Sequence, residues 1–216
     1  MAYTGDVSVG GPAQVRELAA LIISKIAVGP YENNCYLLRC RRSGDQLLID
    51  AADGTEELVA LIGPDGLDTI VTTHSHADHW QALPALLQAT DAAAVAHPLD
   101  APDIPVPIDR LVDGGDTLHV GDVSLTVIHL RGHTPGGIAL VYDDPEGPPH
   151  VFTGDSLFPG GIGKTTAATF PQLLDDVEER VFARFPDETW IYPGHGNDTT
   201  LGAERPHLAE WRERGW

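Results

Sequence analysis

Cysteine is nearly missing from this chain, with only Cys35 and Cys40 in 216 residues. Both lie in one apolar stretch, and five residues apart on a strand they would be about 16 Å from each other. That is far beyond disulfide reach. No staple is needed either, because a chain of this length with 42% hydrophobic residues can bury a core without one. Basic residues are also scarce: thirteen face 32 acidic ones, giving a net charge of −19. Such a surface repels phosphate backbones and excludes nucleic acid as a partner; its main effect is solubility. No apolar run approaches the roughly 20 residues of a membrane span. The first 14 residues are polar and glycine-containing, without the basic-then-apolar order of an export signal. They read as a flexible N-terminal arm before a single domain over 15–216, and the protein is expected to be cytoplasmic. No repeat, low-complexity tract or long linker divides it.

The apolar segments that are present are short. Residues 18–28, 35–38 and 46–49 read as three successive strands, with Ser43-Gly44-Asp45 as a turn. Helical spacing follows over 55–62, with Asp53 or Thr55 as cap and Gly63-Pro64 as stop. A strand at 69–71, a helix over 83–89 and a strand at 92–96 come next. After the proline-rich loop 100–107, strands are expected at 117–120, 124–130, 138–142 and 150–153. An acidic helix over 170–182, a strand at 189–192 and a helix over 204–214 complete the order. This succession does not fit alternating parallel units. It predicts an α/β (α+β) fold in which two mixed sheets face each other with helices outside both.

Thr72-Thr73-His74-Ser75-His76-Ala77-Asp78-His79 holds four potential metal ligands within six residues, directly after the β-branched run 69–71. In extended chain His74, His76 and Asp78 share one side, and His79 faces elsewhere unless the chain turns. Imidazoles with a carboxylate suit zinc, or iron and manganese. Asp78 as a helix N-cap, boxed by Gln81, would put Pro84 inside the first turns, where its ring clashes. A helix with Pro84 at its first position fits better.

Three further strands each run into a glycine-flanked polar loop with one potential ligand: Gly132-His133-Thr134-Pro135-Gly136, Gly154-Asp155-Ser156 and Pro193-Gly194-His195-Gly196. Glycine lets the backbone turn and approach an ion closely. Five histidines and two aspartates exceed what one four-coordinate zinc uses but suit two metals sharing a carboxylate.

On these residues the chain, over about 20–205, resembles the metallo-β-lactamase superfamily through His74-x-His76-x-Asp78-His79, His133, Asp155 and His195. The resemblance implies an αββα sandwich with two metals at one edge of the sheets. It assigns His74, His76 and His133 to one, Asp78, His79 and His195 to the other, and Asp155 to both. Within the superfamily, the loops around His133, Asp155 and His195 look most like glyoxalase II, a hydroxyacyl-thiol hydrolase. There, a basic residue near Gly-x-Gly contacts the thiol carrier's carboxylates, the position matched by Gly161-Ile162-Gly163-Lys164. Two departures stand out. Glyoxalase II has a C-terminal helical domain, whereas 21 residues follow His195 here, so the compact hydrolases of this type are nearer. Trp80-Gln81 also replaces the usual small residues after His79, which is expected to narrow the mouth.

The implied activity is hydrolysis of a thioester between a small acyl group and a low-molecular-weight thiol. Metal-bridging hydroxide would be the nucleophile, with Asp78 and Asp155 orienting it and Gly163 and Lys164 binding the substrate. Two divalent ions, zinc foremost and iron or manganese as alternatives, are the expected cofactors. Rival readings are a one-iron persulfide dioxygenase, a lactone hydrolase and a non-enzymatic metal-binding scaffold. Gly160-Gly161-Ile162-Gly163-Lys164-Thr165 hints at a phosphate loop, but Phe158 stands where that motif needs glycine. His97, His119, His129, His150 and His207 read as structural or exposed.

Overall fold

The computed structural model describes residues 3–215. One sheet takes β1 (Gln14–Glu17), β2 (Leu21–Val28), β3 (Asn33–Cys40), β4 (Gln46–Ile49), β5 (Thr69–Val71), β6 (Ala93–Ala96) and β7 (Arg110–Leu111), in that spatial order. Its first four strands pair antiparallel and β4 to β7 pair parallel. The other sheet uses β8 (Thr117–Val120), β9 (Val123–His129), β10 (Ile138–Tyr142) and β11 (His150–Gly154). A small ribbon, β12 (Leu157–Phe158) and β13 (Gly161–Ile162), follows before β14 (Trp190–Pro193) and β15 (Thr199–Thr200). The spatial order is β15-β14-β11-β10-β9-β8, with the β11–β14 pair parallel.

Alternation along the strands builds the layers. In β4, Leu47 and Ile49 join the core between the sheets, while Leu48 joins the core under the helices on the outer face. That outer layer is α1 (Thr55–Ile62) and α2 (Leu83–Ala89), seated through Leu58, Ile62, Leu83 and Leu86. On the other side α3 (Phe170–Val177) packs Leu173, Leu174 and Val177 against Ile128, Val141, Val151 and Ile191. Two short helices, α4 (Leu201–Glu204) and α5 (Leu208–Arg214), close the chain, and Trp211 is buried in the same core. The result is the expected αββα sandwich of two mixed sheets.

Several boundaries differ for local reasons. β1 was not expected, because Gln14-Val15-Arg16-Glu17 alternates half-buried with exposed and carries no apolar signal. Gly54, not Asp53 or Thr55, caps α1, with φ 63° and no side-chain bond. After Val177 the acidic helix widens into an i→i+5 turn through 182. Pro206 breaks the closing helix into α4, a tight turn at Arg205–His207, and α5. Within the arm, Tyr3 donates its hydroxyl to Asp198 at 2.7 Å.

Candidate metal centre

Every potential ligand sits just beyond a strand end at one edge of the sandwich. β5 stops at Val71 and the chain reaches His74 three residues later. The tight turn Ala77–His79 then brings His79 round, so that its buried ring lies with its centroid 4.1 Å from that of His74. From the opposite sheet, β9 leads to His133, β11 to Asp155 and β14 to His195. The last two loops touch: Gly194 N–H donates to the Gly154 carbonyl at 2.9 Å. A Cβ on Gly194 would lie 2.3 Å from Asp155 Oδ1 and 2.7 Å from His79 Cε1, so only glycine lets the His195 loop pass.

The seven side chains expected from the sequence converge. Three groups have donor atoms all within 4.8 Å of one another: His74, His76 and His133; Asp78, His79 and His195; and His74, His79 and Asp155. The hydrogen bonds behind the rings decide what these atoms offer. His133 Nδ1 donates to the Lys164 carbonyl at 2.7 Å and His195 Nδ1 to that of Tyr31 at 2.9 Å. His79 Nδ1 donates to Asp50 at 2.8 Å, and His74 Nδ1 lies 3.1 Å from Thr73 Oγ1, which itself donates to Asp50. Each of these rings thus turns its Nε2 inward, as a lone pair on His74 and His133 and, on His79 and His195, as a lone pair freed once a metal takes the place of the proton. His74 Nε2 meets His76 Nδ1 at 3.2 Å, and His79 Nε2 meets His195 Nε2 at 3.3 Å. His133 Nε2 and Asp155 Oδ1 are buried with no hydrogen-bond partner. Lone pairs and carboxylate oxygens facing each other in a buried space repel unless a cation lies among them. The residues therefore fit a pair of metal ions.

Protonation follows the same logic. Burial, reinforced by His79, pushes His74 well below its ordinary value, and burial also lowers His133. For His79, burial is outweighed by Asp50 and Asp155, which hold it up at about 10. His195 is likewise raised against burial by Asp155. Burial would raise both carboxylates, yet the Asn33 amide and His79 hold Asp78 low, and His195 and His79 hold Asp155 far below the carboxylate range.

Three polar residues that support the ligands were not singled out from the sequence. Asp50 accepts from Thr73 N–H at 2.7 Å besides binding His79, and its φ of 57° is rare outside glycine. Its signal was available, since it follows β4 just as the ligand loops follow their strands. Asn33 donates to Asp78 Oδ2 at 2.9 Å, and Tyr31 supplies the carbonyl behind His195. Neither has a motif, because each acts through a contact across the fold.

Beside His76 and His133 lies a cavity of ≈ 500 Å³, also lined by Lys164, Thr134, Thr166 and Gln172. Gly163 does not line it. A Cβ there would lie 1.7 Å from the Asp155 carbonyl oxygen, so this glycine seats the Lys164 loop against the Asp155 loop. Of the Trp80-Gln81 pair expected to narrow the mouth, Gln81 lines a cavity with Tyr31, Ala77 and Asp78, whereas Trp80 turns away from both cavities. It packs against the core under α1 and α2 and donates its indole N–H to the Ser75 carbonyl at 2.8 Å. His97, Asp113 and His129 also bring donors together, but Leu99 N–H donates to His97 Nδ1 at 3.1 Å. That fixes the His97 proton on Nε2, which faces Asp113 at 3.2 Å and has no lone pair to offer.

An αββα sandwich with a His- and Asp-rich centre at its edge defines a class, and the comparisons name it. The profile of the metallo-beta-lactamase superfamily matches residues 28–195, and the chain belongs to that superfamily. An uncharacterized protein of Aquifex aeolicus is 30% identical over 204 residues, covering 86% of this chain and 94% of the relative. A hydroxyacylglutathione hydrolase of a Polaromonas species is 33% identical over 178 residues, covering 81% of this chain and 66% of its own length. The chain thus spans about two thirds of that hydrolase. The crystal structure of TTHA1623 in a di-iron-bound form superposes with a TM-score of 0.68 at 35% identity, over 84% of this chain and 96% of that one.

Proposed function

We propose that this protein is a metal-dependent hydrolase of thioesters formed by a small acyl group and a low-molecular-weight thiol. The observation that carries the reading is the cavity beside His76 and His133, with Lys164 on its wall. The chain has two lysines, and the other, Lys25, is fully buried in an ion pair with Asp198. Lys164 has no acidic partner among the described residues, which suits it to a carboxylate of the thiol carrier. The relatives named hydroxyacylglutathione hydrolase support the same substrate class.

In this reading His74, His76 and His133 would hold one metal, Asp78, His79 and His195 would hold the second, and Asp155 would serve both. When bound, two divalent cations, zinc foremost with iron or manganese as alternatives, supply hydroxide at neutral pH and polarise the scissile carbonyl. Asp78 and Asp155 stay ionised and fix where the nucleophile is held. Asp50 keeps His79 protonated on Nδ1, and the Lys164 carbonyl does the same for His133, so each presents Nε2. A thiolate is a good leaving group, so no proton donor beside it is required. Ser156 is buried and is not needed as a nucleophile.

A steady-state screen of thioesters on different thiol carriers, with lactone and β-lactam controls and a His76→Ala blank, tests this. Thioesters should be turned over best. Lactone or lactam turnover higher by orders of magnitude would sink the assignment, as would one iron per chain with thiol-dependent oxygen uptake. Lys164→Ala should raise KM for a carboxylate-bearing carrier about tenfold with kcat little changed, the loss of one charge-assisted contact.

A further inference from the structure

We infer that Asp100 is a positioning residue that sets the distance between the two loops carrying His74, His76 and His133. The inference rests on the reading that these three histidines hold a metal. Asp100 follows β6, is 1% exposed, and reaches two loops from opposite sheets. Its Oδ2 accepts from Ser75 N–H at 2.8 Å and its Oδ1 from Gly136 N–H at 2.6 Å. Ser75 stands between His74 and His76, and Gly136 is three residues past His133. The Ser75 carbonyl is held as well, by Trp80 Nε1 at 2.8 Å. The residue between two ligands is therefore gripped at both its N–H and its C=O.

Helix capping does not explain this carboxylate. Asp100 opens the tight turn Ala101–Asp103, yet its side chain makes no bond to that turn. It also has no cationic side-chain partner among the described residues. What it does have is one oxygen for each loop. An asparagine could satisfy one N–H and would turn its own NH₂ toward the other. A Cβ on Gly136 would lie 2.7 Å from Asp100 Oδ1 and 2.8 Å from its backbone nitrogen, so the loops close only over glycine. Residues behind a metal's ligands commonly set its affinity by 10–100-fold, and here the support acts on the spacing of three ligands at once.

The test is zinc binding by the full chain, measured by competition with a chromophoric chelator and by elemental analysis. Asp100→Asn should weaken one of two zinc equivalents by about 10–100-fold and leave the other near its original affinity. Gly136→Ala should give the same split, and Trp80→Phe a smaller one, each with the metal-free melting temperature largely kept. Wild-type affinity at both equivalents in Asp100→Asn would overturn the inference. So would equal loss at both equivalents together with a fallen metal-free melting temperature, which marks a purely structural residue. If Asp100→Asn does not fold, absence of the split in Trp80→Phe overturns it. Wild-type protein that binds no divalent metal would instead overturn the reading of the centre, and this inference with it.

Discussion

Asp50 shows how much of the centre depends on residues outside the signature. Its carboxylate ties His79 to Thr73, and through Thr73 it reaches the ring of His74. Asp50→Ala should lower metal affinity by about 10–100-fold, read by chelator competition. Proton bookkeeping separates the two metal positions. His74 and His133 are held neutral, whereas His79, up at about 10, carries a proton at neutral pH. Metal entering beside His79 must displace that proton, so its affinity should rise as pH increases toward 10, by about tenfold per pH unit per proton displaced. Calorimetry in buffers of different ionisation enthalpy should find proton release tied to that equivalent. The candidate ligands were legible because His-x-His-x-Asp-His is local and the other three sit among glycines. Asn33 and Asp100 were not, since ordinary polar residues acquire these roles only through contacts between distant segments.

Among the elements, the joint between the His133 loop and α3 carries a charge of its own. Asp176 on α3 accepts from Arg131 N–H at 3.0 Å, Nε at 2.8 Å and Nη2 at 2.7 Å. Burial raises this carboxyl, but Arg131 outweighs it and holds it below the usual range. Its folded pKa lies under its unfolded one, so the stability it adds is present above about pH 4 and is lost as pH falls through the folded value. Asp176→Asn should cost ~1–3 kcal/mol at pH 7 in urea unfolding, and the difference from wild type should shrink below pH 4. Helix and strand identities were readable from apolar spacing, as for Leu173, Leu174 and Val177. Ends were less so: Gly54 caps through its backbone conformation alone, and β1 is an edge strand without an apolar pattern.

Across the molecule, the proposed ligands come from both sheets, with His74 to His79 following β5 and His133, Asp155 and His195 following strands of the other sheet. Bound metal then ties the halves together. Chelation should lower the melting temperature, by a stability loss of about 2.7 kcal/mol where metal had stood at a hundred times its Kd. Lys25 and Asp198 form a second tie in the layer between the sheets, with the lysine also donating to Gly5 and Gly196 carbonyls at 2.8 Å. Lys25→Met leaves Asp198 buried without its cation and should cost ~3–5 kcal/mol by urea denaturation.

That buried pair has a practical corollary. With one of the two lysine amines shut inside the fold, an amine-directed dye has a single side-chain target, Lys164, in addition to any free chain terminus. The native sequence thus carries its own labelling handle at the cavity wall, and because acylation removes the charge proposed to bind the thiol carrier, a carboxylate-bearing ligand should slow the labelling.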